Sequence, residues 1–144
     1  GVNMAIGTDT YPHNMIEEMR HVAIMSRVVG EDAYDTRSVD VFNAATLGGA
    51  RALGRDDLGR IAPGAKADLL FFDAESLWMT PLRDPVKNIV YSAQAQDIAD
   101  VIINGTIVVR DRASPPPPWH LRCPQCQRFA LFVVECLLPA RAPP

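Results

Sequence analysis

From Gly1 to Arg112 the chain contains no cysteine. No disulfide can staple that part, and a reducing, cytoplasmic setting is the expectation. An excess of one charge is also lacking. Fourteen basic residues stand against 17 acidic ones, a formal net charge of -3, which argues against the clustered basic face of a nucleic-acid binder. No apolar run reaches the roughly 20 residues that cross a bilayer. The longest, Phe129 to Leu138, is shorter and carries Glu135. Neither a nucleic-acid nor a membrane partner is therefore expected. A phosphate-binding loop, a dinucleotide fingerprint and the strained serine elbow of acyl-transfer hydrolases are missing as well. No signal or transit sequence is read at Gly1, where the chain opens almost directly in an apolar run. The expectation is a chain that begins partway through a larger fold.

What is present divides into three regions. Residues 1–54 read as strand, helix, helix. Asn14, with Glu17 three positions on, makes a capping-box-like helix start. Met15, Met19, Val22, Ser26 and Val29 follow at helical spacing, read as core packing, and Gly30 is a natural stop. A second helical stretch spans about Val39 to Leu53, capped by Ser38 or Thr36 and ended by Gly54. Gly48-Gly49 in its middle weakens it by roughly 1 kcal/mol per glycine. It is read as two short helices meeting at a tight contact.

Residues 55–112 read as β-rich. Pro63-Gly64 is a turn dipeptide, and Asp68-Leu69-Leu70-Phe71-Phe72-Asp73 suits a buried strand. Val101-Ile102-Ile103 and Thr106-Ile107-Val108-Val109 flank Asn104-Gly105, the strongest short hairpin signal. Thr80-Pro81 and Asp84-Pro85 read as an irregular connection. Residues 113–144 form an atypical tail. They hold eight of the 12 prolines and all three cysteines, so Pro115 to Pro118 reads as a polyproline spacer.

Asp9 ends the apolar run Val2-Asn3-Met4-Ala5-Ile6-Gly7-Thr8 and precedes the first helix. An α/β barrel places catalytic and metal-binding carboxylates at such strand ends. At 144 residues the chain is too short for a whole barrel of about 250.

Leu58-Gly59-Arg60-Ile61-Ala62-Pro63-Gly64-Ala65-Lys66-Ala67-Asp68-Leu69 resembles the "G-x-[I/L]-x-x-G-x-x-A-D-[L/I]" signature of the amidohydrolase superfamily. Ala45-Thr46-Leu47-Gly48-Gly49-Ala50-Arg51-Ala52-Leu53-Gly54 resembles the helical "A-T-x-x-G-A-x-x-L-G" that precedes it. Gly7-Thr8-Asp9, with Met15, Glu18, Met19 and Arg20, is similar to the end of barrel strand eight in the deaminase and chlorohydrolase branch. The hairpin at Asn104-Gly105 matches the family's closing pattern. The resemblance runs from about Gly1 to Asp111.

The resemblance implies an α/β fold, the C-terminal end of a (β/α)8 metal-dependent hydrolase barrel plus part of a small β-sandwich subdomain. It implies hydrolysis of non-peptide carbon-nitrogen bonds in a small heterocyclic substrate: a cyclic amidine, purine or triazine-like ring. It also makes Asp9 a ligand of a divalent metal, zinc or iron, that takes a proton from the metal-bound water and passes it to the leaving group. Homo-oligomers are common in the family. Its other metal ligands are histidines, including a His-x-His. The histidines here are His13, His21 and His120, and no His-x-His occurs. Most ligands are thus expected outside this chain, leaving it inactive alone.

Three neighbours of Asp9 are candidates for contacting substrate or orienting the carboxylate: His13, Thr8 and Thr10. Asn14 reads as a helix cap, His21 as structural, and Asp68 as a turn or strand-end residue. Where the branch often has Gly after the aspartate, this chain has Thr10-Tyr11-Pro12-His13-Asn14, which leaves the substrate open. Cys123-Pro124-Gln125-Cys126, with His120 and Cys136, offers the ligand types of a zinc ribbon at spacing that fits no common pattern. The competing reading of the whole chain is a catalytically inert binding or interaction module built on the small sheet.

Overall fold

A computed structural model describes residues 1–9, 12–31 and 36–114. The zinc-ribbon residues and the polyproline spacer lie outside them. The first helix, α1 (Met15–Gly30), begins as the sequence indicates. The Asn14 side chain accepts from the backbone amides of Ile16 and Glu17 at 3.2 and 3.4 Å, satisfying two donors that the helix itself cannot. The helix runs through Gly30, and Glu31 takes the left-handed closing position at φ 54°.

A 16-residue helix is marginal by propensity alone, so packing decides. Ile16, Met19 and Ala23 of α1 join Val41, Met79, Val90, Ala93 and Ile98 in one buried cluster. Each large apolar side chain buried this way contributes about 1.5–3 kcal/mol. The pattern fails at Val29, which is exposed. The contacts of α1 with its neighbours extend to Arg27, whose guanidinium lies 5.3 Å from the centre of the Tyr91 ring.

The second helical stretch is one continuous helical path, not two helices. It comprises α2 (Ser38–Asn43), a π-helical segment (Ala44–Gly48) and α3 (Gly49–Ala52). Asn43, Gly48 and Gly49 all keep right-handed helical dihedrals. The change of pitch, rather than a break, makes room for the backbone packed against it. Arg37, not Ser38 or Thr36, occupies the N-cap, and no side chain caps it. Gly54, at φ 66°, closes the path with its amide on the Arg51 carbonyl, and Arg55 N–H reaches back to Ala50.

The opening segment is extended but forms no ladder, contrary to the strand expected there. A strand needs at least one hydrogen-bonded partner, and none of the described strands pairs with it. Val2 is 94% exposed and Met4 70%. The segment rests instead on the π-helical turn. Ile6 N–H donates to the Ala44 carbonyl at 3.3 Å, and Asn3 Nδ2 donates to the Gly48 carbonyl at 3.0 Å.

The sheet has three antiparallel strands in the order β1 (Leu69–Phe72), β2 (Ile98–Ile103), β3 (Thr106–Val109). Leu69 faces Ile102, and Ile102 faces Ile107. Asn104 and Gly105 both have positive φ, 48° and 80°, as a type I′ turn requires. Pro63-Gly64 also turns as expected, with Ala65 N–H on the Ala62 carbonyl and Gly64 at φ 84°. β1 is not the buried strand expected: Leu70 and Phe71 are 44% and 47% exposed. As adjacent residues they point to opposite faces, so neither face is fully covered.

Between β1 and β2 lies an unexpected helix, α4 (Pro85–Tyr91). Asp84 caps it by accepting from Lys87 N–H at 3.1 Å, and Pro85 opens it. Asp84-Pro85 was therefore a helix-start signal, since proline at the first helical position lacks only an amide that has no partner there. Buried Asp97 then holds a one-turn 3-10 segment (Ala95–Asp97) by accepting from Gln94 N–H at 2.8 Å.

Beyond β3, Asp111 and Arg112 both adopt left-handed conformations. Three bonds hold Arg112 there: its amide to the Ala99 carbonyl at 2.8 Å, its Nε to the Gln96 carbonyl at 2.9 Å, and its Nη2 to Asp73. Such strain persists only where surrounding contacts over-determine it.

Two outcomes follow for stability. Asp97→Ala removes the acceptor of the part-buried Gln94 amide and lowers the unfolding free energy by about 1–3 kcal/mol, to be read from urea denaturation. Asp73 is held below the ordinary carboxylate range, first by the Arg112 hydrogen bond and then by the Glu75 amide. Its folded pKa is below its unfolded one, so this contribution is full above pH ~4 and fades as pH falls through the folded value. Arg112→Ala therefore lowers the urea midpoint at pH 7, and its gap from the wild type narrows below pH ~4.

Candidate functional site

Asp9 follows Thr8 at the end of the opening segment and sits in a turn at φ 53°. Aspartate tolerates this left-handed conformation better than most residues. Its carboxylate is exposed, whereas Thr8 beside it is buried. The Thr8 hydroxyl lies 3.5 Å from His13 Nδ1, at the outer limit of a hydrogen bond. His13 is exposed and reaches back across the turn. On the far side, Asn14 N–H donates to the Pro12 carbonyl at 2.9 Å, and Asn14 caps α1. Buried Thr8 and exposed His13 thus meet on either side of the Asp9 turn, just before a capped helix start. Thr10 lies outside the described residues.

Several other titratable residues make local contacts. His21 lies on the exposed face of α1, 3.9 Å from Glu18. Asp68 accepts from Asn104 N–H at 2.6 Å, tying β1 to the hairpin turn. The carboxyls of Asp40 and Asp57 are held below their usual range by hydrogen bonds from Arg37 and Arg55. Arg37 and Arg55 are near neighbours of these carboxylates in sequence, and both pairs are solvent-exposed surface pairs of small energetic weight.

Asp9 supplies one oxygen donor of the kind zinc accepts. Among the described residues no group of three or more histidines, cysteines and carboxylates converges. The donor set fits one ligand of a metal site, not a complete centre. Two open cavities, of about 460 and 500 Å3, flank the opening segment and the start of α4, and Asp9 lines neither.

Sequence reasoning missed the seat beneath the opening segment. Gly48-Gly49 signalled a tight contact, but the partner was not identifiable. It is the backbone at Met4: a methyl group placed on Gly48 would stand 2.0 Å from the Met4 carbonyl oxygen.

Comparison with known proteins gives a consistent result. The model of the amidohydrolase family matches residues 1–108. A 5'-deoxyadenosine deaminase from Methanothermobacter thermautotrophicus is 42% identical over 115 residues, covering 77% of this chain and 27% of the relative. A 5-methylthioadenosine/S-adenosylhomocysteine deaminase from Acetivibrio thermocellus is 39% identical over 117 residues, covering 78% and 27%. The chain thus spans about a quarter of the length of the curated relatives it matches. Among solved structures, a zinc-bound adenosine deaminase from Xanthomonas campestris superposes with a TM-score of 0.77 at 33% identity, covering 88% of this chain and 30% of that one. An atrazine chlorohydrolase from Arthrobacter aurescens, complexed with zinc, has a TM-score of 0.65 at 20% identity over 74% of this chain and 24% of that one, a likeness of fold alone. With the family model covering most of its length and deaminases among its relatives, the chain belongs to the amidohydrolase family.

Proposed function

We propose that this chain supplies the C-terminal part of a metal-dependent deaminase acting on a small heterocycle of the adenosine-derivative class. Residues 1–54 would form the end of a barrel, and residues 55–112 part of a β-sandwich beside it. The reading also takes the setting as cytoplasmic; no helix of the described residues is long and apolar enough to cross a membrane. The observation that carries it is the position of Asp9: an exposed carboxylate at the end of a seated extended segment, directly before a capped helix, in a chain 42% identical to a 5'-deoxyadenosine deaminase.

In this reading Asp9 is one ligand of a divalent metal, zinc by analogy with the zinc-bound adenosine deaminase, and the remaining ligands lie outside the chain. A bound zinc ion would supply water acidified to a pKa of about 7. The Asp9 carboxylate would hold a proton within reach of the substrate and deliver it to the departing amino group. Thr8 and His13 would orient the Asp9 carboxylate or contact the substrate. The second reading, an inert binding module, draws on the absence, among the described residues, of any converging group of three or more metal-ligating side chains.

Complementation separates the two. The chain is mixed with the Methanothermobacter deaminase lacking the segment that this chain matches. Zinc content and ammonia release from 5'-deoxyadenosine are then measured. Stoichiometric zinc with ammonia release is expected, and Asp9→Asn cuts that rate by about 10²–10⁴-fold without dissociating the complex. A stable, zinc-loaded complex that releases no ammonia would leave the module reading standing.

A further inference from the structure

We propose that Gly48 is a positioning residue for Asp9, acting through the opening segment that it seats. The proposal rests on the reading of Asp9 given above. Three observations converge on the π-helical segment Ala44–Gly48. The Ala44 carbonyl, inside a helical stretch, accepts from Ile6 N–H at 3.3 Å. The Gly48 carbonyl accepts from Asn3 Nδ2 at 3.0 Å. Between these bonds the Met4 carbonyl approaches Gly48 so closely that a Cβ there would lie 2.0 Å from its oxygen and 3.2 Å from its carbon. Real Cβ atoms do not come that near, and the neighbour is backbone, so it cannot rotate away.

The physical logic is a coupling of pitch and contact. A π-helical turn is wider than an α-helical one and displaces its carbonyls from the regular ladder, which makes them available to donors from another segment. The missing side chain at Gly48 then admits the incoming backbone. The second glycine behaves differently: a Cβ at Gly49 meets nothing within 4 Å. Of two adjacent glycines in one helical path, one is required by contact and the other is not.

Gly48 cannot touch the reacting atoms in this arrangement. It sets the height of the segment at Met4 and Ile6, three to five residues before Asp9. Thr8, buried at 5% exposure, then anchors the end of that short run. A displacement near 1 Å at a site supporting the chemistry is worth about a hundredfold in rate.

The test uses the full 144-residue chain labelled with ¹⁵N. Gly48→Ala is expected to accelerate amide exchange at Ile6 by about tenfold or more relative to wild type. It should also shift the Asp9 amide resonance and change the backbone coupling that reports its left-handed φ. The Val90 amide, in the core, keeps its wild-type rate. Gly49→Ala leaves Ile6 and Asp9 as in wild type. Equal effects from the two alanines, or Ile6 exchange within twofold of wild type in Gly48→Ala, would overturn the proposal.

Should Gly48→Ala fail to fold, Asn3→Ala removes one tether outside the core. It is expected to speed Ile6 exchange about threefold or more; an unchanged rate counts against the seat. None of these readouts involves metal or turnover. An inert complementation complex would therefore defeat the deaminase reading while leaving the seat at Gly48 intact, and the reverse holds equally.

Discussion

The approach of the Met4 carbonyl to Gly48 is the constraint on which the candidate site depends. It brings an extended segment with no strand partner onto a helix, and two hydrogen bonds from Asn3 and Ile6 hold it there. Without that seat the segment ending at Asp9 would have little to fix it, because its own side chains at Val2 and Met4 face outward. The π-helical segment receives a second close backbone contact. A Cβ at Gly59 would lie 2.8 Å from the Thr46 carbonyl oxygen. The signature loop that opens with Leu58-Gly59 is thereby joined to the same helical turn as the Asp9 segment.

The core explains why these parts share one frame. Ile16, Met19 and Ala23 from α1 pack with Val41 from α2 and with Val90, Ala93 and Ile98 from the far end of the chain. Arg20 adds a polar link by donating to the Ala93 carbonyl. The helix after Asp9 is therefore fixed by residues more than 70 positions later, and the site turn inherits its rigidity from that packing. Exposed apolar side chains include Val2, Met4, Leu70 and Phe71. Those residues belong to a segment that lacks strand neighbours and to a sheet covered incompletely on both faces, as suits a chain spanning about a quarter of its relatives.

Legibility followed the range of the interaction. Asn14 as a cap, Gly54 as a helix stop, Pro63-Gly64 as a turn and Asn104-Gly105 as a hairpin were all readable, because each is settled within a few residues by dihedral preference or a local bond. Asp84-Pro85 carried a readable signal too, but it suits either an irregular connection or a helix start. Burial of Val90 against α1 decided for the helix. Val29 and β1 failed for a different reason. Periodicity and apolar content mark residues that are able to be buried, whereas coverage depends on where the partner elements end.

The sequence by itself determined the Asn14 cap, the Pro63-Gly64 and Asn104-Gly105 turns and the family, since these depend on local dihedrals and ordered motifs. The tertiary structure alone decided that the opening segment is seated rather than paired, that the second helix widens instead of breaking, and that Gly48 rather than Gly49 carries the contact. Those outcomes depend on how two backbones more than 40 residues apart exclude one another's volume, and no local pattern in either stretch encodes that distance.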